Sequence, residues 1–300
     1  MNYLLYKNLK IIKDLSLAKY TTFKIGGRAK YSCFPSNPEE IKLAFLFAQE
    51  NNLPYFIIGG GANLLISDKG YNGLIIFTHR LNKYKVKNNC IETESGITLT
   101  KLNRIALFNF LSGLEFSNGL PGSIGGAVFM NARCYGKEFS DIVESVIAID
   151  KTGNIIQLNK KEIFYAYKKT YFMDNRDLFI YKVILKLEKS KFFKILKEAN
   201  KNKKDRIKKG QFLYPSAGCI FKNDYSIGIP SGKIIEDLGL KGVKIGGAKV
   251  YEKHANFIIN YKNAKANDVF ELIKFIENSV YERKGYKLEK EVQLLGDFQD

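Results

Sequence analysis

PYFIIGGGANLLISDKGYNGLIIF, residues 54 to 77, holds three short apolar runs, the first two separated by three consecutive glycines. Each run is bounded by turn-forming residues, so the stretch reads as strand, glycine turn, short apolar run, loop, strand. At Gly59, Gly60 and Gly61 the backbone is bare where the first strand ends. Amide N–H groups there can turn towards an anion, because no side chain blocks approach or forbids positive φ. Two nucleotide-binding fingerprints are excluded. GxGxxG from Gly59 needs glycine at 64, where Leu64 stands, and no GxxxxGK[ST] occurs. Taken alone, the loop reads equally well as a plain glycine-rich connection.

Outward from this stretch the chain alternates helices and strands. SNPEEIKLAFLFAQENN (36 to 52) predicts a helix capped by Asn37, with Pro38 at its first position and Ile41, Phe45 and Ala48 inward. CIETESGITLTKLNRIALFNFLSG predicts a strand, then a helix from about Thr98 to Gly113. GLPGSIGGAVFMNA, from Gly119, is a second glycine loop feeding a small-residue helix. A hairpin turns at Thr152-Gly153-Asn154, and LFIYKVILKLEKS adds a strand. After about residue 190 come a charged helix, the segment YPSAGCIFKND (214 to 224), a short helix in SGKIIEDLGLKG, and an amphipathic helix with Val269, Leu272, Ile273 and Ile276 inward. KLEKEVQLLG reads as a final strand. Twelve of the 25 glycines lie between Gly59 and Gly136, so the first two thirds read as a cofactor module and the last third as a second domain. Two such loops cost backbone entropy unless something packs on them, and a long diphosphate cofactor would use both.

Composition limits the functional classes. The chain has 300 residues, 45% hydrophobic and 26% charged, which suits an ordinary globular protein with a real core. Its longest uncharged stretches are broken by glycine, proline, serine and asparagine, so neither reads as a membrane span, and no membrane partner is expected. No secretory signal is legible at MNYLLYKNLKIIKD, so a cytoplasmic location is expected. The net charge of +18 is spread along the chain, without a nucleic-acid motif or interleaved aromatics, and no nucleic-acid partner is expected.

Cys33, Cys90, Cys134 and Cys219 lie far apart with no CxxC pair, which argues against a disulfide framework and against a metal site. Cys219 stands between Gly218 and an apolar run. It is either a small buried hydrophobe or a thiol whose proton takes part in chemistry.

Seven segments together carry a resemblance. TTFKIGG (21 to 27), GGGANLLISDKGYNGLII (59 to 76), GLEFSNGLPGSIGGAVFMNARCYG (113 to 136), YKKT (167 to 170), PSAGCIFKN (215 to 223), GGAKVYEKHANFIIN (246 to 260) and LEKEVQLLG (288 to 296) resemble, in sequence and order, the UDP-N-acetylenolpyruvoylglucosamine reductase family. The resemblance is to the shorter subtype and covers nearly the whole chain. It implies an α+β fold, with a bilobal FAD-binding domain of the vanillyl-alcohol-oxidase type over residues 1–192 (lobes about 1–80 and 81–192). A C-terminal α+β substrate domain would follow over 193–300. It also implies a monomer.

The same resemblance implies a reaction and its residues. The family reduces the enolpyruvyl group of UDP-N-acetylglucosamine enolpyruvate to UDP-N-acetylmuramate, using FAD and NADPH, in bacterial peptidoglycan precursor synthesis. Cofactor contacts fall on Gly59, Gly60, Gly61, Ala62, Asn63 and Leu64, and on Gly119, Pro121, Gly122, Ser123, Gly125, Gly126 and Ala127. The family's proton donor, a serine in AGSxFKN, falls on Cys219, a thiol of pKa ~8.5 that releases its proton more readily than a hydroxyl. The family's Tyr-Arg pair falls on Tyr167 and Lys168; lysine offers a carboxylate a point charge in place of a planar fork. The late glutamate falls on Glu291, with Glu289 two residues away on the same face of the expected strand. Tyr135, Lys209 and Asn223 match substrate contacts. Further departures are Arg133-Cys134, where the family has Gly-Ala, and Tyr251, where it has serine; His254, in HANFI, reads as structural. The alternatives are another FAD oxidoreductase or oxidase of the same fold, or a basic nucleic-acid binder without catalysis.

Overall fold

The computed structural model describes residues 2–298. The chain forms two compact units. The first comprises residues up to Lys13, Tyr31–Gly60 and Gly73–Asp205, and the second Asp14–Lys30, Gly61–Asn72 and the residues from Arg206 onward. Helices and strands occur in both, which bears out the α+β class.

In the first unit a five-stranded antiparallel sheet runs in the order Ile155–Asn159, Val143–Ile149, Phe179–Lys186, Cys90–Glu94, Tyr84–Lys87. It shares a core with the helix Leu99–Phe108, built from residues such as Leu102, Ile124, Phe139, Val146 and Val183. The opening stretch forms as read: Tyr55–Ile58 pairs in parallel with Tyr71–Phe77, setting Ile58 opposite Phe77. Leu64–Ile66, in the second unit, is the strand between them in sequence. The helix Pro38–Glu50 starts where Asn37 Oδ1 accepts the Glu40 N–H at 2.9 Å, and Ile41, Phe45 and Ala48 are buried. The 152–154 hairpin is drawn tight by the Asp150 carboxylate, which accepts the N–H groups of Thr152 and Asn154, both at 2.9 Å.

One helix is shorter than its sequence suggests. The expected helix to Gly113 ends at Phe108. Phe110 takes φ +58°, which leaves the right-handed helix, and Leu111–Ser112 instead pairs with Glu188–Lys189. A strand partner distant in sequence overrides local helical spacing there.

In the second unit an antiparallel sheet of four strands, Ser216–Cys219, Phe257–Asn260, Ala248–Val250 and Lys244–Ile245, carries the helix Ala266–Lys284. That helix buries Val269, Leu272, Ile273 and Ile276 as its spacing predicts, and ends at left-handed Gly285. The last strand is only Gln293–Leu295, parallel to Leu64–Ile66. Lys290 makes a single bridge to Phe221, so Glu289 and Glu291 lie outside any regular strand and the same-face argument does not apply to them.

Candidate functional site

In the first unit the two glycine loops meet. A Cβ on Gly60 would lie 2.4 Å from the Gly122 Cα, and one on Gly59 would lie 2.4 Å from Ser123 Oγ. Close approach of two backbones therefore requires glycine at position 60, with no ligand needed to explain it. What the packing leaves unexplained is polar. Among the described residues the N–H groups of Gly59 and Gly60, and of Gly61 and Ala62 in the second unit, meet no backbone acceptor, although Gly61 is buried. Amide donors without a backbone acceptor beside bare backbone fit the diphosphate of an FAD-sized group. Ser123 is committed locally: it caps the short helix Ile124–Phe129, its Oγ accepting Gly126 N–H at 3.5 Å. Pro121, Gly125 and Ala127 flank that turn, and Gly119 and Gly122 take φ of +84° and +111°.

Tyr135, Tyr167 and Lys168 belong to this unit as well. The Tyr135 hydroxyl reaches the helix Phe192–Lys208, 2.9 Å from Asp205 Oδ2 and 3.1 Å from the Asn202 carbonyl. The Arg133 guanidinium lies 5.7 Å from the centre of the Tyr167 ring, so this departure from Gly-Ala adds a cation to the face of that ring. Lys168 sits between the strands Phe164–Ala166 and Lys169–Thr170, is buried, and has φ +53°. A left-handed non-glycine residue costs about 1–3 kcal/mol and persists where the surroundings over-determine it.

The cysteine segment lies in the second unit. Gly218 has φ +77° with open space where a Cβ would be, so here conformation and not room demands glycine. The register slips between Ser216 and Cys219, and Cys219 comes opposite Phe257. One side of Cys219 packs on Tyr251, Phe257 and Ile259. Its other side lines a cavity of about 290 Å³ shared with Asn223, Lys233, Glu236, Lys241, Lys253 and His254. The two readings of this thiol are thus both partly true: it packs as a hydrophobe and faces open space.

Several anchors hold the segment. Thr22 Oγ1 donates to the Ser216 carbonyl at 2.7 Å, and Thr22 N–H donates to Gly61 at 3.0 Å, so TTFKIGG ties the glycine turn to the cysteine strand. The buried Asn256 amide clamps Phe221, accepting its N–H at 2.9 Å and donating to its carbonyl at 2.8 Å. Tyr251, buried where the family has serine, donates its hydroxyl to the Gly210 carbonyl at 3.1 Å and so steadies the turn after Lys209. Asn223 Oδ1 accepts the Ser231 N–H at 3.0 Å.

The Glu291 N–H donates to Ile220 at 2.7 Å, which brings Glu291 beside the residue that follows Cys219; the Asn63 side chain donates to the Glu291 carbonyl at 2.8 Å. Glu289 instead pairs with Lys222 at 2.5 Å, facing solvent. His254 is held towards its neutral form, first by burial and then by Lys209, and its Nδ1 is buried without a partner. The lysines at 233, 241 and 253 and the Asn256 clamp escaped the sequence reading. In a chain with 48 Lys and Arg residues, nothing marks three of them as cavity-lining. Lys233 pairs with Asp237 at 2.7 Å and Lys241 with Glu236, and the cavity's lysines together suit an anionic ligand. Among the described residues no cluster of His, Cys, Asp or Glu is suited to a metal ion, and no helix is long and apolar enough to cross a membrane.

Comparison with known proteins adds independent findings. The model of an FAD-binding domain family matches residues 29–159. That of the C-terminal domain of UDP-N-acetylenolpyruvoylglucosamine reductase matches residues 209–295. A curated UDP-N-acetylenolpyruvoylglucosamine reductase from Borrelia garinii is 44% identical over 94% of this chain and 92% of its own length. One from Caldicellulosiruptor bescii is 40% identical over 99% and 94%. The crystal structure of UDP-N-acetylenolpyruvylglucosamine reductase from Thermus caldophilus superposes with a TM-score of 0.80 at 31% identity, covering 96% of this chain and 99% of that one.

Proposed function

The chain belongs to the UDP-N-acetylenolpyruvoylglucosamine reductase family of FAD-dependent oxidoreductases, and from that premise we propose that it reduces UDP-N-acetylglucosamine enolpyruvate to UDP-N-acetylmuramate at the expense of NADPH. The observation that carries this reading is full-length identity of 40–44% to reductases of that name, with the C-terminal family model spanning the Cys219 segment. We assign FAD to residues 1–192 and the sugar nucleotide to 193–300. The two matched models fall on either side of that division. The product is a peptidoglycan precursor, and the reaction belongs in the cytoplasm.

FAD, when bound and reduced by NADPH, supplies the hydride for the terminal carbon of the enolpyruvyl group. The chain's task is to hold the substrate, steady the negative charge that results, and deliver a proton to the neighbouring carbon. Cys219 gives that proton from Sγ. The role is supported by its place on the cavity wall and by the acidity of a thiol, which gives up a proton more readily than a hydroxyl. Lys168 faces the substrate carboxylate as a buried cation, and Glu291 returns a proton towards Cys219 and orients the network. Asn223, Lys209, Tyr135 and Tyr167 hold the nucleotide. The amides of 59–64, with 119, 121–123 and 125–127, hold FAD.

Purified protein is expected to be yellow, and to consume NADPH one-for-one with UDP-N-acetylmuramate formed when given the enolpyruvyl nucleotide. Colourless protein, or flavin turnover that uses oxygen and ignores the nucleotide, contradicts the reading.

A further inference from the structure

The first unit carries an apolar feature that the reductase reading leaves unused. Phe108 ends the helix Leu99–Phe108, Phe110 follows it, and Phe192 and Phe193 open the helix Phe192–Lys208. The rings of Phe108 and Phe192 lie 6.2 Å apart and those of Phe192 and Phe193 5.5 Å apart. The rings of Phe108, Phe192 and Phe193 thus form one patch, and the Ser190 N–H, donating to the Phe110 carbonyl at 2.9 Å, brings the backbone at Phe110 beside the start of the second helix. Phe193 is 80% exposed, Phe108 64% and Phe110 53%. Phe108 and Phe193, joined through Phe192, leave an apolar patch in water that is unusual for a surface with no partner, since this side chain has no polar atom to satisfy there.

The surroundings are basic. Arg104 lies one turn before Phe108 on the same helix and is exposed. Lys189 Nζ is 3.4 Å from the Asn109 carbonyl, and Lys191 and Lys194 are exposed beside the rings. From 188 to 198 the sequence holds Lys189, Lys191, Lys194 and Lys197 against Glu188 and Glu198, and Glu198 pairs with Lys201 at 3.7 Å.

We propose that this phenylalanine–lysine patch docks the protein peripherally on an anionic lipid surface. The rings enter the boundary between headgroups and acyl chains while the ammonium groups meet lipid phosphates, the division of labour found in interfacial helices. Charge argues against a second copy as occupant, because it would bring +18 against +18 and the same lysines face to face. The sequence-based expectation of no membrane partner rested on the lack of a spanning segment, which a peripheral contact does not need.

The test is co-sedimentation of the full-length protein with vesicles of phosphatidylglycerol and phosphatidylcholine, or of phosphatidylcholine alone. Retention is expected on the anionic vesicles only, weakening with salt. The double variant Phe108→Ser/Phe193→Ser is expected to lower partitioning by roughly tenfold or more. Lys191→Gln and Lys194→Gln are each expected to lower it roughly fivefold. All four side chains are exposed, so the variants are expected to keep parental reductase turnover. Failure of the parent to bind anionic vesicles overturns the proposal, as does equal retention of parent and double variant. A parental dimer on size exclusion that the double variant abolishes gives the patch to a second copy and also overturns it.

Discussion

Cys33 and Cys219 both end strands, Arg28–Cys33 and Ser216–Cys219, and their surroundings differ in nearly every respect that governs a thiol. Cys33 is fully buried in an apolar core with Ile41, Phe45 and Leu74, and burial pushes its thiol well above the usual range, so its proton is locked in place. Cys219 follows a left-handed glycine, is half-buried, and borders a lysine-lined cavity. The contrast teaches that residue identity says little about a cysteine: backbone shape and the groups on its open side decide whether it is packing or chemistry.

The largest expected effect breaks that comparison most directly. Cys219→Ala is expected to slow steady-state product formation about 1000-fold, within the range for losing a general acid, while Cys219→Ser keeps much of the rate. Flavin reduction by NADPH, followed in the stopped flow, is expected to be unchanged in both. Normal turnover of the alanine variant would remove Cys219 from the mechanism.

A second variant asks whether the buried cation of the other unit shares in the work. Lys168→Gln is expected to lower kcat about 100-fold with the flavin still bound, and Lys168→Arg to retain activity. Equal loss in both variants would point to a structural lysine.

Two smaller effects sharpen the contrast through stability. Asn256→Leu leaves the N–H and carbonyl of Phe221 without their partners at about 1–3 kcal/mol each, measured by denaturant titration. Cys33→Ser buries an unpaired hydroxyl at about 1–3 kcal/mol and is expected to leave turnover unaltered. A slow alkylating agent is expected to label Cys219 well before Cys33; the reverse order would invalidate the comparison.

Most secondary structure was legible because it is written locally. Asn37 and Pro38 mark a helix start, and the spacing of Val269 to Ile276 marks an inward face. Where distant pairing won, local reading failed: Phe110 leaves the helix to let Leu111–Ser112 meet Glu188–Lys189, and LEKEV remains irregular because Lys290 finds only one bridge. At the site, the glycine loops announced themselves by composition, although Gly60 and Gly122 answer first to each other and only then to a ligand. Cys219, Lys168 and Glu291 stood out only through the order of family motifs, because a lone thiol, lysine or glutamate carries no periodic signal. Asn256 and the lysines of the cavity had no such mark, since their work depends on neighbours that only the fold supplies.

The most direct measurement mixes anaerobically pre-reduced protein with UDP-N-acetylglucosamine enolpyruvate and follows the return of the flavin's visible absorbance alongside product. The account predicts rapid return with one UDP-N-acetylmuramate formed per flavin in the parent, and product formation slowed about 1000-fold in Cys219→Ala. Reduced flavin that ignores the nucleotide, or an alanine variant that yields product at the parental rate, would contradict it.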